Sequence, residues 1–142
     1  MTKTIDLATR QLKRDEGCRL KVYTCTAGKP TIGYGRNLED KGISQHEANQ
    51  MLARDIERVV ADLDRRAAWW RKLDGVRAAV VINMGFQLGV TGFLRFRKTI
   101  AALRAGDFER ASEEMLDSRW ATQTPNRAKR LSEQIRTGEV AT

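Results

Sequence analysis

The stretch that decides the fold is residues 44–63, SQHEANQMLARDIERVVADL. It opens with a capping box, in which the Ser44 hydroxyl can accept from the Glu47 amide and the Glu47 carboxylate from the Ser44 amide. Behind the box, apolar side chains recur with the spacing of one helix face: Ala48, Met51, Leu52, Ile56, Val59, Val60 and Leu63. The pattern predicts a long amphipathic helix that connects a region before it to a region after it.

In the region before this helix, the spacing of apolar residues changes once, from the period of a helix to that of a strand. Apolar residues first recur at helical spacing, at Ile5, Ala8 and Leu12, and Gly17 then predicts the end of a helix. Residues 19–23, RLKVY, and 31–35, TIGYG, read with a period close to two and flank a turn. They predict a small hairpin or meander, which is not stable alone and needs another element to pack on.

The region after residue 63 reads as helical throughout. The predicted helices are Gly75–Leu88 behind an Asp74 cap, Thr99–Arg104 ending at Gly106, Phe108–Leu116 behind an Asp107 cap, and a last helix from the Thr124-Pro125 cap to about Arg136. The fold class is therefore α+β in a single domain. We expect a small β lobe over about 17–43, a connecting helix over 44–64 and a helical lobe over 65–142 packed with the N-terminal helix, with a cleft between the lobes.

The composition describes one basic domain. The chain has 142 residues, with 26 Lys and Arg against 18 Asp and Glu and a formal net charge of +8. The hydrophobic share of 41% is enough for a core and excludes a disordered or collagen-like chain. No run of about 18 apolar residues predicts a membrane span, and residues 1–13 lack the apolar centre of a secretory signal.

The few cysteine and histidine residues predict neither a disulfide nor a metal site. Cys18 and Cys25 are expected to stay as thiols in a chain without a signal peptide. His46 is the only histidine, and its spacing from the two cysteines matches no common zinc pattern. We expect no metal and no cofactor.

Glu16 is the titratable residue of greatest interest. The first predicted helix ends there, and the negative end of a helix dipole favours the protonated form of a carboxyl group. A general acid needs that bias, because it must hold a proton near neutral pH. Taken alone, Glu16 is better read as an exposed carboxylate at a frayed helix end, because most glutamates are exposed.

Several motifs place Glu16 in a wider pattern. In order, they are RDEGCRLKVY (14–23), TIGYG (31–35), INMGFQLG (82–89), SRW (118–120), QTPNRAKR (123–130) and RTG (136–138). Together they span nearly the whole chain and resemble bacteriophage-type lysozymes of the T-even kind, with a shorter connection between Asn37 and Ser44.

The resemblance implies a muramidase, an endolysin that cuts the β-1,4 bond between N-acetylmuramic acid and N-acetylglucosamine in peptidoglycan. Glu16 matches the general acid of the family. Thr31 matches the threonine that helps to hold the attacking water, and Arg127 the arginine that pairs with the catalytic glutamate.

The resemblance also implies substrate-binding residues. Phe86 matches an aromatic residue that lines the cleft, although a phenylalanine on an apolar helix, taken alone, is better read as a core residue. Thr99 keeps a hydroxyl where the family has a substrate-contacting serine. Asn37 is a third candidate for substrate binding.

Two positions depart from the family pattern. The second catalytic carboxylate is replaced by Cys25, whose thiolate can supply negative charge or attack the sugar. A lytic transglycosylase that relies on Glu16, and a catalytically impaired wall-binding protein, remain alternatives. The family histidine is replaced by Arg36, for which the resemblance implies a structural ion pair with Asp55 that is insensitive to pH near neutrality.

The expected partners follow from charge and from the resemblance. A basic protein is attracted to the acidic groups of peptidoglycan, and this attraction falls with salt. A nucleic-acid-binding helical module is the rival class, but no recognition motif supports it, so we expect no nucleic acid. We further expect a monomer that stays in the host cytoplasm until a holin releases it to periplasmic peptidoglycan.

Overall fold

A computed structural model describes residues 1–141 as an α+β fold, which confirms the predicted class. The elements in chain order are α1 (Thr2–Glu16), β1 (Arg19–Thr24), β2 (Pro30–Gly33), β3 (Arg36–Asn37), α2 (Leu38–Lys41), α3 (Gln45–Arg66), a 3-10 helix (Ala68–Lys72), α4 (Gly75–Leu94), α5 (Arg97–Ala105), α6 (Phe108–Leu116), α7 (Arg119–Gln123) and α8 (Pro125–Thr137). The chain forms two compact units, Met1–Gln50 and the part from Met51 onward. The packing of α1 with the helical lobe stays a prediction.

The first unit contains a three-stranded antiparallel sheet in the order β1-β2-β3. Thr31 lies at its centre, opposite Tyr23 on one side and Asn37 on the other. The sequence analysis predicted the first two strands but neither β3 nor α2. Both are too short to show a period of their own, and Asn37 starts α2 by accepting a hydrogen bond from the Asp40 amide at 3.1 Å.

The start of α3 has the predicted capping box, with one further bond. Ser44 Oγ accepts from the Glu47 amide at 3.1 Å, and Glu47 Oε1 accepts from the Ser44 amide at 2.9 Å. Arg36 Nη1 lies 2.7 Å from the Glu47 carboxylate and so ties β3 to the start of α3. The hydrogen bonds from Arg36 and Ser44 hold the pKa of Glu47 at about 2.

The expected ion pair between Arg36 and Asp55 stays a prediction, because Asp55 belongs to the second unit. The resemblance implied Asp55, whereas the salt bridge of Arg36 in the described structure is with Glu47. Glu47 is brought within reach because β3 runs directly into the short α2 and the capping box that follows it.

The second unit is built around a helical core. Its largest fully buried side chains come from several helices: Leu63, Val80, Val81, Met84, Phe93, Met115 and Ile135. α6 packs against both α5 and α8. Asp64 fixes the end of α3, since it accepts from Trp70 Nε1 at 2.8 Å and pairs with Arg71 through two 2.8 Å bonds.

α4 is the most apolar helix, and it is long and apolar enough by composition to cross a membrane. Six of its residues are nevertheless buried within the second unit. Gly89, with φ 73° and ψ 153°, also breaks its helical geometry just after the predicted end at Leu88. These features are those of a core helix.

Two of the three helix caps predicted for the second unit are present in the structure, and the third is not. Asp74 and Asp107 each accept a hydrogen bond from the amide three residues on, as predicted. Thr124 precedes α8 with Pro125 at its first position, but its side chain makes no cap. The Thr124 hydroxyl instead donates to the Trp120 carbonyl at 3.0 Å, because α7 ends immediately before it.

Glu47→Gln is expected to destabilise the protein at neutral pH but not in strong acid. Glutamine keeps the reach of the capping box but loses the charge that Arg36 contacts. Since the pKa of Glu47 is lowered from 4.5 to about 2, its contribution is present above pH 4.5 and lost as the pH falls towards 2. Thermal unfolding followed by circular dichroism should show a lower Tm at about pH 7 and little difference near pH 2.

Asp55→Asn is the matched control for this experiment. It removes the carboxylate that the resemblance assigned to Arg36 and leaves Glu47 intact. Its Tm should follow that of the parent at every pH. If Asp55→Asn reproduced the loss and Glu47→Gln did not, the assignment of the ion pair to Glu47 would be wrong.

Candidate active site

Glu16 is the last residue of α1, as the sequence analysis predicted, and it lies at the turn after β2. Gly17 ends the helix with φ 67°, and the Glu16 side chain is exposed. The carboxylate fills the space beside Gly35, since a Cβ at residue 35 would lie 2.5 Å from Glu16 Oε2. The same corner is held by Lys13, whose Nζ lies 5.6 Å from the centre of the Tyr34 ring. The glutamate is thus supported from the sheet.

Cys25 directly follows β1 and begins the turn into β2. Its amide donates to the Lys29 carbonyl at 2.9 Å, and its carbonyl accepts from Gly28 at the same distance. The turn directs hydrogen-bond donors at the sulfur, which lower the pKa of the Cys25 thiol: the Lys29 amide first, then the Thr31 hydroxyl and the Ala27 amide. The thiol is half-buried and free, and these donors favour its thiolate form.

Thr31 and Asn37 are neighbours across the sheet. The Thr31 side chain is buried, and its hydroxyl donates to the Lys29 carbonyl at 3.0 Å. The same hydroxyl is one of the groups that lower the pKa of the Cys25 thiol. Asn37 is half-buried and binds Asp40 through both ends of its amide, at 3.1 and 3.0 Å. Asn37 therefore has a structural task, and its predicted role in substrate binding stays a prediction.

Arg127 belongs to the second unit, where Asn83 holds its guanidinium. Nε and Nη2 of Arg127 both donate to Asn83 Oδ1, at 3.0 and 2.7 Å. The two residues line a cavity of about 310 Å³ together with Phe86 of α4, which is 43% exposed. Phe86 is thus no core residue, and its predicted role in substrate binding stays a prediction. The predicted pairing of Arg127 with Glu16 stays a prediction.

Thr99 lies on α5 and lines another cavity of the second unit, one of about 620 Å³. That cavity also contains Trp120, which is buried as predicted and donates from Nε1 to Gln87 Oε1 at 2.8 Å. Within the second unit, the predicted substrate residues therefore belong to two cavities. Within the first, Glu16, Cys25 and Thr31 lie around one small sheet.

Sequence reasoning missed the residues that support the predicted ones. Gly35 makes room for Glu16, and Asn83 accepts hydrogen bonds from Arg127. Glu47 forms the salt bridge with Arg36. Gly35 and Asn83 lie in the quoted motifs, which was the available signal. No cluster of three candidate metal ligands occurs within residues 1–141.

A small antiparallel sheet that supports a glutamate, joined through a long helix to a helical unit, is the arrangement expected of a lysozyme-type enzyme. The phage lysozyme family model matches residues 13–136, and the chain therefore belongs to the phage lysozyme family. The resemblance inferred from the motifs is confirmed.

The relatives come from phages and from a eukaryote. The chain is 32% identical to the pre-baseplate central spike protein Gp5 of Enterobacteria phage T4, over 91% of the chain but 27% of that protein. It is 29% identical to probable T4-type lysozyme 1 of Dictyostelium discoideum, over 91% of the chain and 93% of that protein. It is 34% identical to an endolysin of Acyrthosiphon pisum secondary endosymbiont phage 1, over 74% of the chain and 72% of that protein. The chain thus spans about a quarter of the spike protein's length.

Gly35→Ala is expected to abolish most of the peptidoglycan hydrolysis that the family implies. The new methyl group displaces the Glu16 carboxylate, and a misplacement of about 1 Å can cost roughly 100-fold in rate. Gly33→Ala is the matched control, because its φ of 67° is close to the 69° of Gly35 while a Cβ there meets nothing within 4 Å. Both variants should lose about 1–2 kcal/mol of stability from the left-handed backbone.

Hydrolysis rates on purified peptidoglycan, measured well below the melting temperatures of both variants, separate displacement of the Glu16 carboxylate from the loss of stability. Gly33→Ala should keep the parental rate while Gly35→Ala loses it. Equal rates in the two alanine variants would show that Gly35 serves the backbone alone.

Proposed function

We propose that this chain is an endolysin that hydrolyses the β-1,4 bond between N-acetylmuramic acid and N-acetylglucosamine in bacterial peptidoglycan. The observation that carries the proposal is the Glu16 carboxylate at the end of α1, held against Gly35 at the position that the family motif gives its general acid. The family match over residues 13–136 and the similarity to a phage endolysin support it.

Glu16 is proposed as the general acid. Its proton passes to the glycosidic oxygen as the bond from that oxygen to the muramic acid C1 breaks, and positive charge develops on the sugar. Gly35 leaves the carboxyl group room on one side, and the end of α1 fixes the other. Arg127 is proposed to orient the carboxylate after the proton has left.

Cys25 is proposed to act in place of the second carboxylate. The Lys29 amide, the Thr31 hydroxyl and the Ala27 amide lower the pKa of its thiol, so the thiolate supplies negative charge above that lowered pKa without an acidic side chain. That charge stabilises the developing cation on the sugar. Thr31 holds the attacking water, whose oxygen bonds to C1 and whose proton returns to solvent.

Two other activities are consistent with the loss of the carboxylate. In a lytic transglycosylase, the substrate's own hydroxyl replaces water and Cys25 is not needed. In a wall-binding protein, neither Glu16 nor Cys25 reacts. The hydrogen-bond donors around the Cys25 sulfur favour the hydrolase, because they stabilise charge at the position where the family mechanism uses it.

The charge of the chain suits this substrate. A net charge of +8 attracts the protein to the acidic groups of the wall. We propose that the endolysin accumulates as a monomer in the host cytoplasm and reaches periplasmic peptidoglycan after a holin opens the membrane. No cofactor is needed for this chemistry.

Mass spectrometry of released muropeptides is the test of the reaction. A hydrolase should release reducing muramic acid ends, whereas a transglycosylase releases 1,6-anhydro ends and a wall-binding protein releases nothing. Glu16→Gln, which keeps the shape but cannot donate the proton, should reduce release by about 100- to 10,000-fold. Near-normal release by folded Glu16→Gln would overturn the assignment of the general acid.

A Cys25 series tests the thiolate. Cys25→Asp should match or exceed the parent, and Cys25→Ser, which cannot ionise in this range, should lose activity by about tenfold or more. The parent's activity should rise with pH through the lowered pKa of Cys25, because the thiolate exists only above that pKa. Cys25→Asp should keep its activity to lower pH, since aspartate ionises near pH 3.9.

Alkylation provides the control for the series. Iodoacetamide should inactivate the parent and the Cys18→Ser variant alike, because the exposed Cys18 has no proposed role. If Cys25→Ser and the alkylated protein both cleared cells at the parental rate, Glu16 and a water held by Thr31 would suffice.

A further inference from the structure

The motif RTG (136–138) at the end of α8 has no part in the proposed chemistry, and the structure gives it a task. Gly138 follows α8 with a φ of 73°, and its missing side chain leaves room for Arg77 of α4. A Cβ at residue 138 would lie 2.9 Å from Nη1 of Arg77 and 3.1 Å from its Cζ. The glycine therefore admits a guanidinium group from another helix.

Arg77 uses this space to bind the backbone at the end of α8. Its Nε donates to the Ile135 carbonyl at 2.6 Å, and its Nη2 donates to the Arg136 carbonyl at 3.2 Å. Both carbonyls belong to the last turn of α8, where the helix itself supplies no donor. A positive charge at the negative end of the helix dipole adds to the attraction. Arg77 thus satisfies the open carbonyls of α8.

Two further contacts fix the orientation of this guanidinium. Its Nη1 donates to Asp74, the N-cap of α4, at 3.1 Å. Its Cζ lies 3.6 Å from the centre of the ring of Phe108, the first residue of α6. The planar fork of arginine can make all of these contacts together, whereas the compact ammonium group of lysine cannot. Arg77 therefore joins the start of α4, the start of α6 and the end of α8.

A second polar contact between α4 and α8 lies near the opposite end of α8. Arg127, in the first turn of α8, donates twice to Asn83 of α4, at 3.0 and 2.7 Å. The contact that comes first along α4 comes last along α8, so the two helices run antiparallel. At about 1.5 Å per residue, the two contacts are about 9 Å apart along α4 and about 12 Å apart along α8. Together they define how α8 lies along α4.

The start of α8 depends on contacts of this kind. The Thr124 side chain makes no cap there, because its hydroxyl donates to the Trp120 carbonyl. The side chains that α8 buries are small or apolar: Ala128, Leu131, Ser132 and Ile135. Packing of apolar side chains has no preferred direction, whereas hydrogen bonds are directional. The polar contacts between α4 and α8 therefore carry the directional part of their packing.

We propose that Arg77 is a positioning residue of the active site. By binding the end of α8, it sets where the first turn of that helix lies along α4, and so keeps Arg127 within reach of Asn83 Oδ1. Arg77 lies outside the cavity that contains Arg127, so its effect passes through that side chain. The inference rests on the proposed function, in which Arg127 orients the Glu16 carboxylate.

The Nε–H resonance of Arg127 in the NMR spectrum tests the inference without a reaction. The bond to Asn83 protects this hydrogen from exchange with water, and Arg127→Gln assigns the resonance by removing it. Arg77→Met keeps an unbranched side chain but removes the donors. It should shift the resonance and speed the exchange by about tenfold. Gly138→Ala should act in the same direction, because the new methyl group displaces the guanidinium of Arg77.

Gly106→Ala is the matched control for the glycine variant. Gly106 ends α5 with φ 74° and ψ 14°, and Gly138 ends α8 with φ 73° and ψ 14°. Alanine is therefore equally strained at both positions, but a Cβ at residue 106 meets no atom of the described chain within 4 Å. Gly106→Ala should leave the Arg127 resonance where the parent has it. Since Gly138→Ala keeps Arg77, this pair also decides the matter if Arg77→Met does not fold.

Hydrolysis rates form the second arm of the experiment. Arg77→Met should release muropeptides about tenfold more slowly than the parent, at a temperature well below the melting temperatures of both proteins. In an Arg127→Gln background, Arg77→Met should cause no further loss, because the side chain through which it acts is absent. A merely structural role would lower the rate by the same factor in both backgrounds.

Three results would contradict the inference. They are an Arg127 resonance that Gly138→Ala leaves unmoved, an equal shift in Gly106→Ala, and an equal loss of rate from Arg77→Met in the two backgrounds. If the parent releases no muropeptides, the proposed function fails, and the NMR arm still decides whether Arg77 positions Arg127. Muropeptide release by a parent whose Arg127 resonance ignores both Arg77→Met and Gly138→Ala would remove this inference alone.

Discussion

The missing side chain at residue 35 is the constraint on which the arrangement of the first unit depends. α1 can end with its glutamate against the sheet only because no Cβ stands at Gly35. The φ of +69° at that glycine also lets the chain turn from β2 into β3. One residue therefore sets both the course of the sheet and the space for the carboxyl group, while Tyr34 beside it receives Lys13 from α1.

The elements that could be predicted from the sequence are those whose causes are local. The capping box at Ser44 and the Asp74 and Asp107 caps join residues three apart, and the apolar stripe of α3 is a property of one helix face. Folding brings together three pairs of residues that are distant in sequence: Gly35 with Glu16, Asn83 with Arg127 and Arg36 with Glu47. No local pattern contains them, so sequence reasoning reached Glu16, Arg127 and Arg36 but not their partners.

Cys25 shows the same limit at the level of chemistry. Comparison with the family motif identifies the position as unusual, but the residue type alone says nothing of its charge. The pKa of the Cys25 thiol depends on the turn, because hydrogen bonds from the amides of Lys29 and Ala27 lower it and these residues belong to the turn that residues 25–29 form. Backbone geometry at a hairpin thus supplies the electrostatic environment that a basic side chain supplies elsewhere.

The hydrogen bonds between Asn83 and Arg127 determine which hydrogen-bonding groups remain available in the cavity that these two residues line with Phe86. Asn83 Oδ1 accepts two hydrogen bonds from Arg127, so both of its lone pairs are occupied and the orientation of the amide is settled. The remaining polar hydrogens of the two side chains are donors, and the other lining residues are apolar: Leu52, Ile56, Ala79, Ile82 and Phe86. A carbonyl or hydroxyl oxygen can be solvated there, whereas an ammonium group would find no acceptor among these side chains.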